Sequence, residues 1–289
     1  MKIISLIFAV LMFLVSCSNK DKLTDKSKLS PYDYRLFQGT AVWPLAKAVH
    51  EGDIELSEKI LAKQPGLANI QDSIYGNTIL MMAIINQDYK LFKLLIDNGA
   101  NVNYHNKLGG QSPLIEASSY KQYDSKFAKD LVGKGANVND TTRNSPNAQV
   151  SPLMAASRSG NILIVEYLLK QGANINYRNN FGSTALGESM LTQKYDIALL
   201  LLDNGADFLS PIYNGIDEYG KSTVPISMLT ALRNAMTEIG TPEYEQKKEI
   251  INFLKTKGIN YDSTPIPDYV IKRAQEKYPS TWQDYLRRY

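Results

Sequence analysis

One segment of the chain carries a spacing that could bind a nucleotide. Residues 215–222 read Gly-Ile-Asp-Glu-Tyr-Gly-Lys-Ser and fit the phosphate-loop pattern Gly-x-x-x-x-Gly-Lys-Ser. Such a loop uses backbone N–H groups and the lysine to contact phosphates, and it must lie between a strand and a helix. Here Asp217 and Glu218 place negative charge inside the loop, and Pro225 follows where the helix would run. We therefore predict a solvated hairpin loop in which Lys221 binds no nucleotide.

Other side chains that could carry out chemistry are few and far apart. The chain has two histidines, His50 and His105, and one cysteine, Cys17. Neither histidine has a second His or Cys at the spacing of a metal site. The sequence also lacks the Gly-x-Ser-x-Gly segment that positions a serine nucleophile. We expect no cofactor, no metal site and no catalytic residue, although distant side chains could still assemble into an active site.

The composition favours a folded protein with a binding surface. Hydrophobic residues make up 44% of the 289 residues, which is enough for a core and too many for a disordered chain. The net charge is +3, with Lys and Arg interspersed among Asp and Glu, whereas nucleic-acid binding needs a concentrated basic face. The 18 tyrosines offer large contact area at low entropic cost, as in protein-binding surfaces.

The N-terminus has the composition of a secretion signal. Met1 and Lys2 precede an apolar run from Ile3 to Val15, which is too short to cross a bilayer. The run ends in Leu-Val-Ser-Cys at residues 14–17, and this resembles the lipobox of bacterial lipoproteins. The resemblance implies a signal peptide over residues 1–16 and lipidation of Cys17. An ordinary secretion signal and an uncleaved anchor are the alternatives.

The residues after the cysteine are polar. We predict a flexible tether that, with the lipidated Cys17, occupies residues 17–42. Ser18 rather than Asp follows the cysteine. By resemblance to proteobacterial lipoproteins, this favours a lipid-anchored protein in the bacterial cell envelope, at the outer membrane and facing the periplasm.

Two short units recur along the chain about every 33 residues. One reads Gly-Ala followed by Asn or Asp, and its copies start at Gly99, Gly135, Gly172 and Gly205. The other has Ser or Thr two residues before a leucine, and its copies end at Leu80, Leu114, Leu153 and Leu186. Self-similarity at this period indicates stacked modules. We expect the leucines to be buried between the modules.

The two units together resemble the consensus of ankyrin repeats. That consensus starts with Gly-x-Thr-Pro-Leu-His-x-Ala, continues with two helices and ends with Gly-Ala-Asp/Asn-Val-Asn. The resemblance covers residues 43–261. It implies an all-α ankyrin-repeat solenoid of about six helix-turn-helix repeats with β-hairpin loops. The Ser or Thr should cap the first helix of each repeat, and the Gly should end the second. Residues 262–289 should form a C-terminal helical cap.

The chain departs from the consensus in two respects. The histidine after Pro-Leu is replaced in every copy, for example by Met81, Ile115 and Met154. Insertions also break the period, and we expect them in loops on the binding side. They lie near Lys121, between Asp140 and Val150, and between Pro211 and Thr223.

In ankyrin proteins, partners usually contact the hairpin tips and the exposed side of the first helices. Transferring that pattern to this sequence defines a predicted face. Its members are Ile74, Tyr75, Asn77, Ile85, Asn86, His105, Lys107, Gln111, Ser119, Tyr120, Arg158, Ser159, Arg178, Asn180, Phe181, Ser183, Leu191 and Thr192.

The resemblances leave two main function classes open. The first is an immunity protein that binds and blocks an antibacterial toxin, such as a type VI secretion effector, since ankyrin-type lipoproteins occur beside such effectors. The second is a periplasmic scaffold or protective partner of an envelope protein. An enzyme is the least favoured alternative. An irregular, tyrosine-rich array favours one specific protein partner, and we expect a monomer that touches the membrane through its lipid anchor and binds neither nucleic acid nor nucleotide.

Overall fold

The computed structural model describes residues 23–143, 149–216 and 222–289. The predicted signal peptide, Cys17 and Lys221 lie outside the described residues. The described residues are mainly helical, with six helix pairs in a row and two further helices at the C-terminus. Neighbouring pairs pack on each other along the row, so the molecule is a solenoid and the predicted fold class is confirmed.

The helices of each pair are joined by a short turn. The first helices are Trp43–Glu51 (α1), Ile79–Ile85 (α3), Pro113–Ser118 (α5), Pro152–Ser159 (α7), Ala185–Leu191 (α9) and Met228–Asn234 (α11). The second helices are Ile54–Lys63 (α2), Tyr89–Asp97 (α4), Ser125–Gly133 (α6), Ile162–Lys170 (α8), Tyr195–Asp203 (α10) and Pro242–Thr256 (α12).

Most first helices begin at the Ser or Thr that the repeat pattern indicates. The side chains of Thr78, Ser151 and Thr184 each accept a hydrogen bond from the backbone N–H three residues later. This bond satisfies one of the free donors at the start of a helix. Ser112 departs from the prediction, because its buried hydroxyl makes no capping bond at the start of α5.

The leucines of the repeat unit lie in the core, as expected. Leu80, Leu114, Leu153 and Leu186 are at most 1% exposed. They belong to one apolar cluster that runs from Phe37 to Tyr261. Three of the residues that replace the consensus histidine, Met81, Ile115 and Met154, are also buried.

Asparagine side chains connect consecutive repeats. The side chain of Asn103 accepts from the N–H of Asn137 and donates to the carbonyl of Gly135, both at 3.0 Å. Asn139 makes the same two bonds to the repeat that follows. The asparagine four residues after the glycine of a recurring unit therefore bridges to the backbone of the next repeat.

Residues 24–42 do not form the predicted flexible tether. Tyr34–Phe37 is a 3-10 helix, and Leu36 and Phe37 are 1% and 0% exposed. The Tyr34 ring stacks on His50 of α1, with the ring centroids 3.8 Å apart. Burying two large apolar side chains compensates for the entropy of ordering this segment. The prediction of a tether is wrong here, and residues 17–22 lie outside the described part.

The C-terminal residues form two helices, Asp268–Lys277 (α13) and Trp282–Arg288 (α14). A small second core holds Val270, Ala274, Tyr285 and Tyr289. The ammonium group of Lys247 on α12 lies 3.7 Å from the centroid of the Tyr289 ring. The final residues thus cover the end of the last repeat.

A β-hairpin precedes α11. Strands Tyr213–Ile216 (β1) and Ser222–Ile226 (β2) pair in antiparallel fashion. A strand therefore starts at Ser222, where a phosphate loop would continue into a helix. The two strands agree with the hairpin that the sequence predicts here, although residues 217–221 of its loop are outside the described ranges. In those ranges, helices are too short or too polar to cross a membrane.

Candidate protein-binding surface

The members of the predicted face differ in their exposure to solvent. Its exposed members are Ile74, Asn86, Lys107, Tyr120, Arg158, Arg178, Asn180 and Leu191. Its half-buried members are Tyr75, Ile85, His105, Gln111, Ser119, Ser159, Phe181 and Thr192. The remaining two, Asn77 and Ser183, are buried.

Asn77 and Ser183 were wrongly assigned to partner contact. Asn77 is 1% exposed, and its side-chain amide donates to the carbonyl of Pro31. Ser183 is 4% exposed, and its hydroxyl donates to Glu188 at 2.8 Å. Both side chains satisfy polar groups inside the protein, which is the usual fate of a buried polar group.

His105 and Arg178 also make internal contacts. The His105 ring nitrogen lies 2.9 Å from a carboxylate oxygen of Asp140, and the His105 side chain is 7% exposed. The His105 ring is thus engaged inside the protein, and its contact with a partner stays a prediction. Arg178 is exposed, but its guanidinium donates to the carbonyls of Gly182 and Pro211. Arg178 thus ties one hairpin tip to the next loop.

A buried acceptor side chain organises each of three hairpin tips. Asp72 accepts from the N–H groups of Ile74 and Tyr75, at 2.9 and 2.7 Å. Asn106 and Asn179 accept backbone N–H groups in the same way. Sequence reasoning missed these residues. The signal was an Asp or Asn three or four residues before the hairpin glycine in each copy.

The N-terminal segment covers part of the face in the first repeats. The Tyr75 hydroxyl donates to the carbonyl of Leu29 at 2.9 Å. The next residues of this segment include Tyr32, which is 37% exposed and borders a groove of about 600 Å³ beside His50 and Asn86. The segment therefore covers Tyr75 and Asn77 of the second repeat, while Ile74 and Asn86 of that repeat stay exposed, and Tyr32 is a surface residue that the tether prediction left out.

The lengthened turn of the third repeat holds an exposed and a buried tyrosine, Tyr120 and Tyr123, which are 41% and 8% exposed. The side chain of Asn161 donates to the carbonyls of Tyr120 and Tyr123, at 3.3 and 2.9 Å. The two tyrosine rings lie 4.8 Å apart. Tyr120 borders a cleft of about 260 Å³ together with Val150 and Arg158. The predicted insertion near Lys121 thus shapes the accessible surface.

An ion pair lies beside this cleft. Arg158 Nε is 2.7 Å from Glu188 Oε2, and the two side chains are 49% and 5% exposed. The Glu188 carboxylate raises the pKa of the Arg158 guanidinium above its usual value. The charge of Glu188 is compensated inside the protein, while the outer half of the Arg158 side chain stays accessible to a partner.

The surface presents aromatic, apolar and cationic side chains to solvent. Tyr120 and Leu191 are 41% and 52% exposed. Across the described residues, no three His, Cys, Asp or Glu side chains are close enough to share a metal ion.

Sequence comparison agrees with this architecture. A family profile described as ankyrin repeats in three copies matches residues 45–142 and 121–211, more than half of the chain. The protein belongs to the ankyrin-repeat family. Members of this family are generally non-catalytic scaffolds that bind other proteins, which agrees with a contact surface spread over several repeats.

The similar ankyrin proteins are viral and eukaryotic. An ankyrin repeat protein of Acanthamoeba polyphaga mimivirus is 36% identical over 141 residues, covering 46% of this chain and 17% of the relative. One from Fowlpox virus is 27% identical over 169 residues, covering 57% and 37%. The potassium channel AKT2/3 of Arabidopsis thaliana is 29% identical over 163 residues, covering 56% and 19%. The chain thus spans well under half the length of these relatives.

One oxygen of a buried carboxylate in the ankyrin array lacks a hydrogen-bond partner in the described part of the chain. Glu116, in α5, is 2% exposed, and its Oε1 has no hydrogen-bond partner within the described ranges. Burial raises the pKa of the Glu116 carboxyl to about 7. Burial raises the pKa of the Tyr32 and Tyr123 hydroxyl groups, and the Glu116 carboxylate raises both further.

We expect Glu116→Gln to stabilise the protein at pH 8. The folded state raises the Glu116 pKa from 4.5 to about 7. Its contribution to stability is therefore complete below pH 4.5 and lost as the pH rises through 7. Removing the buried charge should increase the free energy of unfolding at pH 8 by on the order of 1–3 kcal/mol. Urea unfolding between pH 4 and 8 measures this change.

The pH profile of this variant should be flatter between pH 4.5 and 7 than that of the unmodified protein. Glu188→Gln is the matched control, because it weakens an existing ion pair and should destabilise the protein instead. A Glu116→Gln variant that is less stable at pH 8 would contradict the assignment.

Proposed function

We propose that this protein is a lipid-anchored envelope protein of a bacterium that binds and blocks an antibacterial toxin, without catalysis of its own. The observation that carries the proposal is the exposed surface of the third to fifth repeats, where Tyr120, Arg158 and Leu191 lie accessible. Aromatic and arginine side chains are the types that dominate binding energy at protein interfaces.

The cellular address comes from the sequence. The segment Leu-Val-Ser-Cys at residues 14–17 supports lipidation at Cys17 and a position facing the periplasm. Because the chain packs against the array from Leu29 onward, few residues remain to separate the repeats from Cys17. Even fully extended, the twelve steps from Cys17 to Leu29 span at most about 43 Å. An anchor at Cys17 would hold the repeats near the membrane, where they could meet an incoming toxin.

A competition assay tests the function. Cells without this gene should be killed by sibling cells that deliver the toxin encoded beside it, and the unmodified gene should restore survival. Occlusion requires no turnover, so protection should rise with the amount of protein and saturate when protein and toxin are equimolar. Cys17→Ser should lose labelling by a fatty-acid probe and leave the membrane fraction.

Ser18→Ala is the control for the labelling arm and should keep its label. Survival of the deletion strain while the toxin is demonstrably active would refute the immunity proposal. The scaffold class would then be tested by recovering the protein from its own membranes and identifying the co-purifying protein. Label that persists in Cys17→Ser would refute the lipid anchor.

A further inference from the structure

Glu116 and Glu188 hold the same position in two different repeats. Glu188 is two residues after the core leucine Leu186, and Glu116 is two residues after Leu114. Both carboxylates are at least nine-tenths buried, at 4% and 2% exposure. Because the two positions are equivalent, the contacts of Glu188 indicate which groups would compensate the charge of Glu116.

The two glutamates differ in what compensates their charge. Glu188 accepts from Arg158 Nε at 2.7 Å and from the Ser183 hydroxyl at 2.8 Å. Arg158 is five residues after the core leucine of its repeat, and the residue at that place in the second repeat is Ile85. An isoleucine cannot donate a hydrogen bond. Glu116 therefore has the position that forms an ion pair in the fifth repeat, but the second repeat provides no arginine at Ile85 to pair with it.

The surroundings of Glu116 suit a planar cation. Besides burial, the Glu116 carboxylate raises the pKa of the Tyr32 and Tyr123 hydroxyl groups, and the ring of Tyr120 lies 4.8 Å from that of Tyr123. Aromatic rings attract cations through their faces, and guanidinium stacks on them more readily than ammonium does. Tyr32 borders one cleft beside this face and Tyr120 borders another. Arg158 reaches the Glu188 carboxylate, which is 5% exposed, from a side chain that is itself 49% exposed. A guanidinium at the equivalent place could reach the buried Glu116 in the same way.

We propose that Glu116, with Tyr32 and Tyr120, receives an arginine side chain of the partner protein. This inference rests on the proposed function only in that it assumes a protein partner. Arginine is favoured over lysine because Arg158 fills the equivalent position inside the molecule and because its planar group matches a carboxylate and stacks on tyrosine. Compensating a buried, unpaired charge gives such a contact more effect than one at the rim of an interface.

The proposed arginine site at Glu116 can be tested without knowing the partner protein. N-acetyl-L-arginine amide, titrated into the mature chain, should shift the NMR signals of Glu116 and Tyr120 with a dissociation constant on the order of 1 mM. The neutral analogue N-acetyl-L-citrulline amide should bind at least about tenfold more weakly, because it cannot compensate the charge. Glu116→Gln should reduce arginine binding to the level of citrulline, while Glu188→Gln should leave these shifts unchanged. Equal binding of the two probes would overturn the proposal.

A second variant supplies the cation from within the molecule. Ile85→Arg places a guanidinium where Arg158 stands in the fourth repeat, so it should occupy Glu116, raise the melting temperature and block the arginine probe. Ile85→Met is the control and should leave probe binding intact. Probe binding that survives Ile85→Arg unchanged would overturn the inference. Because the titration needs no toxin, its failure is independent of the competition assay, which tests the proposed function alone.

Discussion

Replacing Tyr120 with Ala and Leu191 with Asp in one variant is expected to weaken partner binding at least about 100-fold. The two side chains are 41% and 52% exposed, and they lie on the accessible face of the third and fifth repeats. Tyrosine is enriched among the residues that dominate interface energies, and a buried aspartate would lack a partner. Since neither side chain fills the core, the melting temperature should stay nearly unchanged.

The binding measurement uses the protein recovered as the partner, or the neighbouring toxin, in isothermal titration calorimetry. A matched control combines Tyr269→Ala with Leu163→Asp. These side chains are 52% and 60% exposed but lie on α13 and on α8, a second helix. Affinity should be retained in the control. Equal losses in both variants would show that the partner does not use the face of the first helices.

Replacing Leu153 with Ala is expected to reduce the free energy of unfolding by about 2–5 kcal/mol. Leu153 is 1% exposed and lies on α7, which packs against α5 on one side and α9 on the other. The substitution leaves a cavity at the centre of the array. In a solenoid each repeat is stabilised mainly by its neighbours, so weakening a central repeat affects both interfaces.

Lys170→Ala provides the comparison for Leu153→Ala, because Lys170 is exposed at the end of α8. Its expected cost is under ~0.5 kcal/mol. Denaturant unfolding followed by circular dichroism measures both values. Similar costs for the two substitutions would show that the assigned repeat register is incorrect.

The N-terminal segment occupies part of the predicted face in the second repeat. In the sequence, the predicted face started at the second repeat with Ile74 and Tyr75. In the structure, Tyr75 is bonded to Leu29, and Asn77 is bonded to Pro31. A partner that used these residues would have to displace the chain's own segment and expose Leu36 and Phe37. For this reason the proposed contacts lie on the third to fifth repeats.

The repeat architecture could be predicted because it depends on local spacing. A helix places residues three and four positions apart on one side, so each copy shows its own buried leucine and its own capping residue. The recurring Gly-Ala-Asn unit marked the end of each second helix, where Gly99 has a φ of 82°. These features repeat about every 33 residues, and the agreement among copies identified them. The same pattern assigned the candidate face to the first helices and the hairpin tips. Eight of its eighteen members are exposed, and eight are half-buried.

Only the tertiary structure decided which polar groups meet between repeats. Glu116 and Glu188 have the same place in the pattern, yet Arg158 compensates one, and Ile85 stands at the corresponding place for the other. Such partners are about thirty residues apart, and their contact depends on how adjacent repeats stack rather than on spacing within a repeat. The packing of residues 24–42 also depends on contacts that are distant in the sequence. The composition of this polar segment does not indicate which surface its few apolar side chains will cover. The sequence alone therefore determined the repeating core, while stacking and the returning N-terminal segment determined which charges and tyrosines a partner can reach.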